Sequence, residues 1–461
     1  MTIRKLLVAN RGEIACRVIR AAKKLGLGTV QVVSEADTES LAARLADEIK
    51  VIGPPQASKS YLDAHAILSA ARESGADAIH PGYGFLSESA HFADAVEQSG
   101  LIFVGPSGDT IRLMGNKAAA RKRARHAGVP TVPGSDGLIV NIDDALALAE
   151  TIGFPVMIKA NGGGGGRGIR VAESAGEFRK LVPQASSEAA AAFGDGGVYI
   201  EKLIEKARHV EVQLLGDGLD VVHLFERECS LQRRRQKVWE EAPSAAISDA
   251  ARARLCASAV ELARSVNYRG AGTVEYLYDD ATGEFYFIEM NTRIQVEHPV
   301  TEMICGTDLV ADMIRVCAGE ALGLTQGAIS RTGHAIEVRI NAEDPANDFM
   351  PVPGNVGGLR IPEGDGIRFD HMLYDGYEVP PFYDSLLGKL IVWAPDRAQA
   401  IARLMSALEV LDIGGLPTTA PLFTALASND DVQANAIHTR WMETWLEQDT
   451  GKFANHREVT A

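Results

Sequence analysis

Short apolar runs alternate with helical periodicity through the first 114 residues, and that alternation leaves few folds open. Ile3–Ala9 is an apolar run of strand length. Between Glu13 and Leu25, residues Ile14, Val18, Ala21, Ala22 and Leu25 recur at helical spacing, and Gly26 closes the stretch. Thr29–Val33 reads as a second strand, Leu41–Ile49 as a second amphipathic stretch and Tyr61–Ser74 as a third helix. Ala76–His80 and Leu101–Val104 read as further strands, each beginning just after Gly75 or Gly100. Strands joined through helices pair in parallel, and the helices then cover both faces of the sheet. The expected first domain, 1–114, is therefore a doubly wound parallel sheet.

The pattern changes from 115 onward. Asn116–His126 reads as a basic helix, followed by the breaker GVPTVPG. Phe154–Ala160 and Gly168–Ala172 flank a glycine run and read as a hairpin. Thr273–Tyr278 and Glu284–Met290 read as another, around Asp279–Gly283. This antiparallel-rich stretch is expected to span 115–330. The third segment, 331–446, mixes strands (His334–Ile340, Ser385–Trp393) with helices (Arg397–Leu411, Pro421–Ala427).

Charge narrows the possible partners. There are 46 Lys and Arg against 61 Asp and Glu, a net charge of −15. So acidic a surface disfavours nucleic acids and anionic membranes, although a cleft can still gather positive groups around an anion. The five cysteines are scattered without a CxxC pair, as in a reduced intracellular protein. The apolar run before Arg11 is too short for a signal peptide, and no run reaches the roughly 18 residues of a membrane span. A cytoplasmic location is the expectation.

Two local patterns carry chemistry. The first is KANGGGGGRG, beginning at Lys159. Backbone N–H groups without side chains can wrap a phosphate closely. A strand follows the run rather than a helix, which excludes a dinucleotide fingerprint, and no Gly-Lys-Ser/Thr follows, which excludes a P-loop. A mobile lid over phosphates, edged by Lys159 and Arg167, fits the pattern better than a plain linker. The second is Glu289–Glu297, where Glu289, Asn291, Arg293, Gln295 and Glu297 share one parity and Met290, Thr292, Ile294 and Val296 take the other. An extended chain turns all five polar groups one way. The preceding hairpin places Glu275 about opposite Glu289. Two carboxylates with the Asn291 amide nearby make a hard-oxygen site for a magnesium or manganese ion carrying substrate phosphates.

A glycine lid on one hairpin and paired carboxylates on another resemble the ATP-grasp fold. Longer strings narrow the resemblance: NRGEIACRVIRAAKKLG from Asn10, HPGYGFLSES from His80, GNK from Gly115, QRRRQKVWEEAP from Gln232, EMNTRIQVEHPVTE from Glu289 and GHAIEVRINAEDP from Gly333. Together with the glycine run they resemble biotin carboxylases over nearly the whole chain. The fold implied is an N-terminal doubly wound domain, a central ATP-grasp domain with a lid at about 131–203, and a C-terminal mixed α/β domain. The activity implied is carboxylation of biotin from bicarbonate and MgATP through carboxyphosphate.

The resemblance also assigns residues. Lys117 and Lys159 hold ATP phosphates, with Gly164, Gly165 and Gly166 covering them. Glu201, Lys202 and Ile204 frame the adenine, and Ile437 closes that pocket. His209 and Gln232 meet the ribose or phosphates, and Glu275, Glu289 and Asn291 form the metal site. Lys237, Arg293, Gln295 and the Val296 backbone N–H bind bicarbonate. Glu297 deprotonates it, Arg339 steadies the biotin enolate oxygen, and Tyr83 stands at the biotin entrance or packs in its turn. Arg235 and Trp239 depart from the family pattern beside Lys237. No Met-Lys dipeptide marks a biotin-accepting lysine. The implied partners are a biotin carboxyl carrier protein, carboxyltransferase subunits and a second copy in a homodimer. The alternatives are an ATP-grasp ligase joining a carboxylate to an amine through an acyl phosphate, and a non-catalytic nucleotide-binding regulator.

Overall fold

The computed structural model describes residues 2–161 and 168–448. They fall into two compact units, the first taking in 2–129, 208–276 and 289–448, the second 130–161, 168–207 and 277–288. The chain begins with β1 (Lys5–Val8), α1 (Gly12–Lys24), β2 (Gly28–Ser34), α2 (Leu41–Leu45), β3 (Glu48–Gly53), α3 (Ala64–Ser74), β4 (Ala78–His80), α4 (Ala90–Gln98) and β5 (Ile102–Phe103). The strands form a parallel sheet in the order β3-β2-β1-β4-β5. Leu6 and Val8 pack with Ile14 and Val18 on one face, while Leu7 packs with Val30, Ile79 and Phe103 on the other. The period-2 alternation of a strand buries both faces at once.

One boundary differs from the sequence reading. The amphipathic stretch from Leu41 stops at Leu45, and β3 occupies Glu48–Gly53. Asp47 is the reason: its carboxylate accepts from the Thr29 backbone N–H at 2.9 Å and from the Thr29 hydroxyl at 2.7 Å. That fastening lays the β-branched pair Ile49 and Val51 beside β2 as a strand.

After α5 (Gly108–Gly115) and α6 (Lys117–His126) comes the second unit. It contains α7 (Ile142–Ile152), β6 (Val156–Ala160), β7 (Ile169–Ala172), α8 (Ala175–Phe193) and β8 (Val198–Lys202). Its sheet runs β7-β6-β8, antiparallel throughout. Leu146, Val156, Ile158, Phe178 and Ile200 form its core. Lys159 pairs with Ile169 across the hairpin, and Gly164, Gly165, Gly166 and Arg167 lie outside the described residues.

The chain continues through β9 (Ala207–Asp217), β10 (Val221–Arg233), β11 (Gln236–Ala242), α9 (Asp249–Arg264), β12 (Arg269–Asp279), β13 (Glu284–Asn291), α10 (His298–Cys305), α11 (Leu309–Cys317) and β14 (His334–Asn341). An eight-stranded sheet orders these as β13-β12-β9-β10-β11-β14, followed by the strands Leu386–Ala394 and Ile367–His371. Here the expectation of one strand over Glu289–Glu297 fails, because β13 ends at Asn291. The backbone bends through 292–297 so that Glu297 becomes the N-cap of α10, with Pro299 in its first turn. No described helix is long and apolar enough to cross a membrane.

The turn after β4 sits at the carboxyl end of a parallel strand, where such sheets place their sites. Asn10 Nδ2 donates to the carbonyls of Pro81 at 2.6 Å and Tyr83 at 2.7 Å. Gly82 has φ +64°, and a Cβ there would sit 2.9 Å from Asn10 Nδ2. Buried His80 accepts the Gly82 N–H on Nδ1 at 3.0 Å. Burial and the charge of Arg17 depress its pKa to about 3. An unfolded histidine titrates near 6.5, so His80 contributes stability above that pH which is lost as the pH falls toward 3. Between pH 7.5 and pH 5 the loss is about 2 kcal/mol. His80→Asn, with no proton to gain, should flatten this part of the acid limb in denaturant unfolding. An unchanged difference between the two pH values would show that His80 does not carry it.

Candidate active site

Lys237 is the centre of charge in the first unit. Its Nζ donates to Glu211 at 2.5 Å, Glu275 at 2.8 Å and Glu297 at 2.8 Å. Burial opposes the ammonium, but these three carboxylates hold its pKa well above the usual lysine value. Fully buried Arg227 braces the same group. It donates to Glu211 at 2.6 Å, to Thr273 at 3.1 Å and to Gln295 Oε1 at 2.8 Å. Gln295 then turns its amide N–H to Glu275 at 2.8 Å. Each charge of this Lys237 cluster thus has its partner, the condition for leaving water.

Glu297 and Arg339 form the second half. Arg339 donates through Nε to Glu240 at 2.7 Å and through Nη2 to Glu297 at 3.2 Å. Burial raises the Glu297 carboxyl, but Lys237, against Glu211, and then Arg339 hold it below the ordinary carboxylate value. Lys389, fully buried, donates to the Val296 carbonyl at 2.8 Å and lies 3.2 Å from Glu13. This fixes the backbone turn that carries Gln295, Val296 and Glu297.

The carboxylates expected to hold metal meet here as well. Asn291 donates to Glu275 at 2.8 Å, and its oxygen accepts from Arg293 at 3.0 Å. Arg293 in turn donates to Glu88 at 2.9 Å. His209 Nε2 lies 3.1 Å from the other Glu275 oxygen. Burial lowers this ring, Glu275 raises it and Lys237 opposes, leaving its pKa at about 9. Burial and Glu275 raise the Glu289 carboxyl, against the charges of Lys117 and then His209. Glu289 has no ion pair among the described residues. Hard oxygens beside an uncompensated carboxylate suit a divalent cation.

Lys237, Glu275, Glu289, Arg293, Glu297 and Arg339 line a cavity of about 670 Å³, which also takes in Tyr83, Gln232, Arg235 and Val238. The Tyr83 hydroxyl donates to buried Glu13, so Tyr83 both lines the cavity and belongs to its turn. Trp239 does not reach it. The indole is buried in the core and donates to Glu241 at 2.9 Å, so of the two departures beside Lys237 only Arg235 faces the cavity. Ile437 is buried in the core of the first unit. Within the second unit, Lys159 donates to Glu201 and Lys202 donates to the Gly153 carbonyl at 2.8 Å. Ile204 follows β8 at intermediate exposure.

The sequence reading missed Glu211, Arg227, Glu240 and Lys389. Glu211 was within reach: His209, Glu211 and Gln213 alternate with Val210 and Val212 on β9, the same polar parity that marks Glu289–Glu297. The other three look, in sequence, like solvent-facing residues of strands.

Three family models match in succession: biotin carboxylase N-terminal domain over residues 2–111, the ATP-binding domain of carbamoyl-phosphate synthase L chain over 116–325, and biotin carboxylase C-terminal domain over 337–444. A biotin carboxylase of Nostoc sp. is 51% identical over 444 residues, 96% of this chain and 99% of the relative. The chain belongs to the biotin carboxylase family. Its fold is that family's ATP-grasp fold. A Campylobacter jejuni biotin carboxylase structure, described as a β,γ-ATP complex, superposes with a TM-score of 0.89 at 44% identity, covering 96% of this chain and 99% of that one. The biotin carboxylase domain dimer of Hydrogenobacter thermophilus 2-oxoglutarate carboxylase, described in complex with MgADP, ADP and bicarbonate, gives 0.88 at 47% identity, covering 98% and 99%.

The placement of Trp239 leads to a contrast between neighbours. Trp239→Ala should cost about 3–5 kcal/mol of unfolding free energy. Arg235→Ala, on an exposed hairpin tip, should stay within about 0.5 kcal/mol of the parent. Equal stabilities of the two variants would contradict a core role for the indole.

Proposed function

We propose that this cavity carries out ATP-dependent carboxylation of biotin, with Glu297 as general base for bicarbonate. The observation that carries the reading is Glu297 held between Lys237 and Arg339 at 2.8 and 3.2 Å. Ionised and clamped, Glu297 is a weak base. An anion such as bicarbonate that takes over hydrogen bonds of Lys237 and Arg339 removes that stabilisation, and the Glu297 pKa then rises toward the working pH. The carboxylate takes the bicarbonate proton as a bicarbonate oxygen attacks the γ-phosphorus and ADP leaves. Carboxyphosphate forms; its bond between the carboxyl carbon and the phosphate oxygen breaks, the carboxyl group passes to N1′ of biotin, and the departing inorganic phosphate takes the N1′ proton.

Lys237, Arg293, Gln295 and the Val296 N–H are the bicarbonate contacts in this reading, and Arg339 stabilises negative charge on the biotin ureido oxygen. Glu275 and Glu289 with Asn291 would hold magnesium, which would supply charge neutralisation for the ATP phosphates. Lys117 and His209 stand by those carboxylates on the phosphate side, and Gln232 lines the same cavity. Lys159 meets the phosphates in this reading, and Glu201, Lys202 and Ile204 meet the adenine. Tyr83 borders the biotin entrance. The segments 1–114, 115–330 and 331–446 serve as the three functional domains.

Biotin arrives on a carboxyl carrier protein. A carboxyltransferase consumes the product, and two copies pair as a homodimer, the state described for the Hydrogenobacter domain. The relatives include a pyruvate carboxylase subunit of Methanothermobacter thermautotrophicus, 49% identical over 96% of this chain and 90% of the relative. The unpaired cysteines and the acidic surface favour the cytoplasm.

Purified chain with MgATP and labelled bicarbonate should release ADP faster when free biotin is added and should yield trapped carboxybiotin. Glu297→Gln should lower kcat by roughly 10²–10⁴-fold with the KM for ATP little changed. ADP release indifferent to both bicarbonate and biotin would overturn the assignment.

A further inference from the structure

Behind Arg339 lie two carboxylates that no step above uses. Glu240 on β11 and Glu337 on β14 stand directly opposite each other in antiparallel register. Side chains so placed have Cβ atoms about 5 Å apart. Both residues are fully buried. One oxygen of Glu240 accepts from Arg339, but its Oε2 has no hydrogen-bond partner, and neither oxygen of Glu337 has one. Two adjacent carboxylates with three unmatched oxygens cannot both stay ionised in the dry interior.

The surrounding charges do not resolve the pair. Lys389 on the strand Leu386–Ala394 stands opposite Arg339 in register, and its charge acts on Glu337, but it is already committed to the Val296 carbonyl and to Glu13 of α1. Arg339 lies between Glu240 and Glu297. Lys237 acts on Glu240 but donates to three other carboxylates. On α10, burial and the nearby cations hold His298 uncharged, and Glu302 is taken by Arg17 and Arg368. Glu297, at the start of the same helix, adds negative charge.

We propose that Glu240 and Glu337 share one proton, and that this acid–carboxylate pair is a positioning element for Arg339. A proton on Glu337, donated to Glu240 Oε2, satisfies one unmatched oxygen on each residue and leaves the pair with a single negative charge. Glu240 then offers Arg339 one carboxylate of fixed orientation, and the guanidinium stays aimed at the cavity. Burial raises both groups: Glu240 reaches about 7 against the pull of Arg339, and Glu337 lies well above the carboxylate range despite Lys389. Loss of the shared proton at high pH sets a second charge beside Glu240, and Arg339 is drawn back toward the pair. The inference rests on the reading of Arg339 as the biotin contact.

The test uses the full chain and two readouts. Difference infrared spectroscopy at neutral pH should show a protonated-carboxyl stretch that Glu337→Gln removes. The pH profile of biotin-dependent kcat/KM should fall on its alkaline side in the parent. In Glu337→Gln, whose amide N–H cannot be lost, that limb should move up by about one pH unit or more. Glu337→Leu, which leaves Glu240 Oε2 without a donor, should lower biotin-dependent kcat/KM about tenfold while sparing the KM for ATP. Absence of the band, or superposed profiles of parent and Glu337→Gln, would overturn the shared proton. A band that is present with an equal shift in biotin-independent, bicarbonate-dependent ATP hydrolysis would detach the pair from Arg339 and overturn its positioning role. Loss of the biotin response in Arg339→Lys, read beside these, tests the underlying assignment separately.

Discussion

The first unit is organised around one buried ammonium. The three N–H bonds of Lys237 end on Glu211, Glu275 and Glu297, which come from β9, β12 and the turn into α10. Without that cation three carboxylates would face one another out of water, at a cost far beyond any single packing contact. With it, segments distant in sequence are tied to one point. Arg227 adds a second tie beneath the first, reaching Glu211, Thr273 and Gln295. The site is thus preorganised by charge pairing as much as by apolar packing.

Preorganisation here is also a stored imbalance. Glu297 is held ionised only while Lys237 and Arg339 serve it, and both can be recruited by an anion entering the cavity. Glu289 lacks any such partner among the described residues, and burial beside Glu275 raises its carboxyl. One region of the cavity therefore attracts a cation and the next an anion. A nucleotide phosphate chain with its metal, placed beside bicarbonate, meets both demands. Lys389 keeps the arrangement in register by holding the Val296 carbonyl from below.

Much of this was legible from residue patterns, for a physical reason in each case. The parallel sheet follows from apolar runs too short for helices alternating with 3.6-residue periodicity, and Leu6 and Leu7 show the two faces filling as the alternation requires. His209, Glu211 and Gln213 carry the same parity signal as the Glu289 run. That signal overreaches at Thr292, where polar alternation continues although the backbone has left the sheet. Parity describes side-chain order along a chain but not whether a neighbouring strand is present to keep it extended. Trp239 makes a related point: closeness to Lys237 in sequence does not put the indole in the same cavity.

Residue order alone was enough for the fold class, the family and the inventory of chemical groups, because these depend on local periodicity and on motifs whose members lie a few residues apart. Which charge neutralises which was settled in three dimensions. Lys237 and Glu297 are sixty residues apart, and Glu240 and Arg339 ninety-nine. Glu240 meets Arg339 because β11 and β14 are neighbours in the sheet, and Glu297 meets Lys237 because the chain leaves β13 and turns into α10. Protonation follows from the same placement. Glu240 and Glu241 are neighbours in the chain, yet burial beside Glu297 raises the first to about 7, while Arg397 and His334 hold the second well below the carboxylate range. A carboxylate's charge is set by what surrounds it in space, and chain order does not record that.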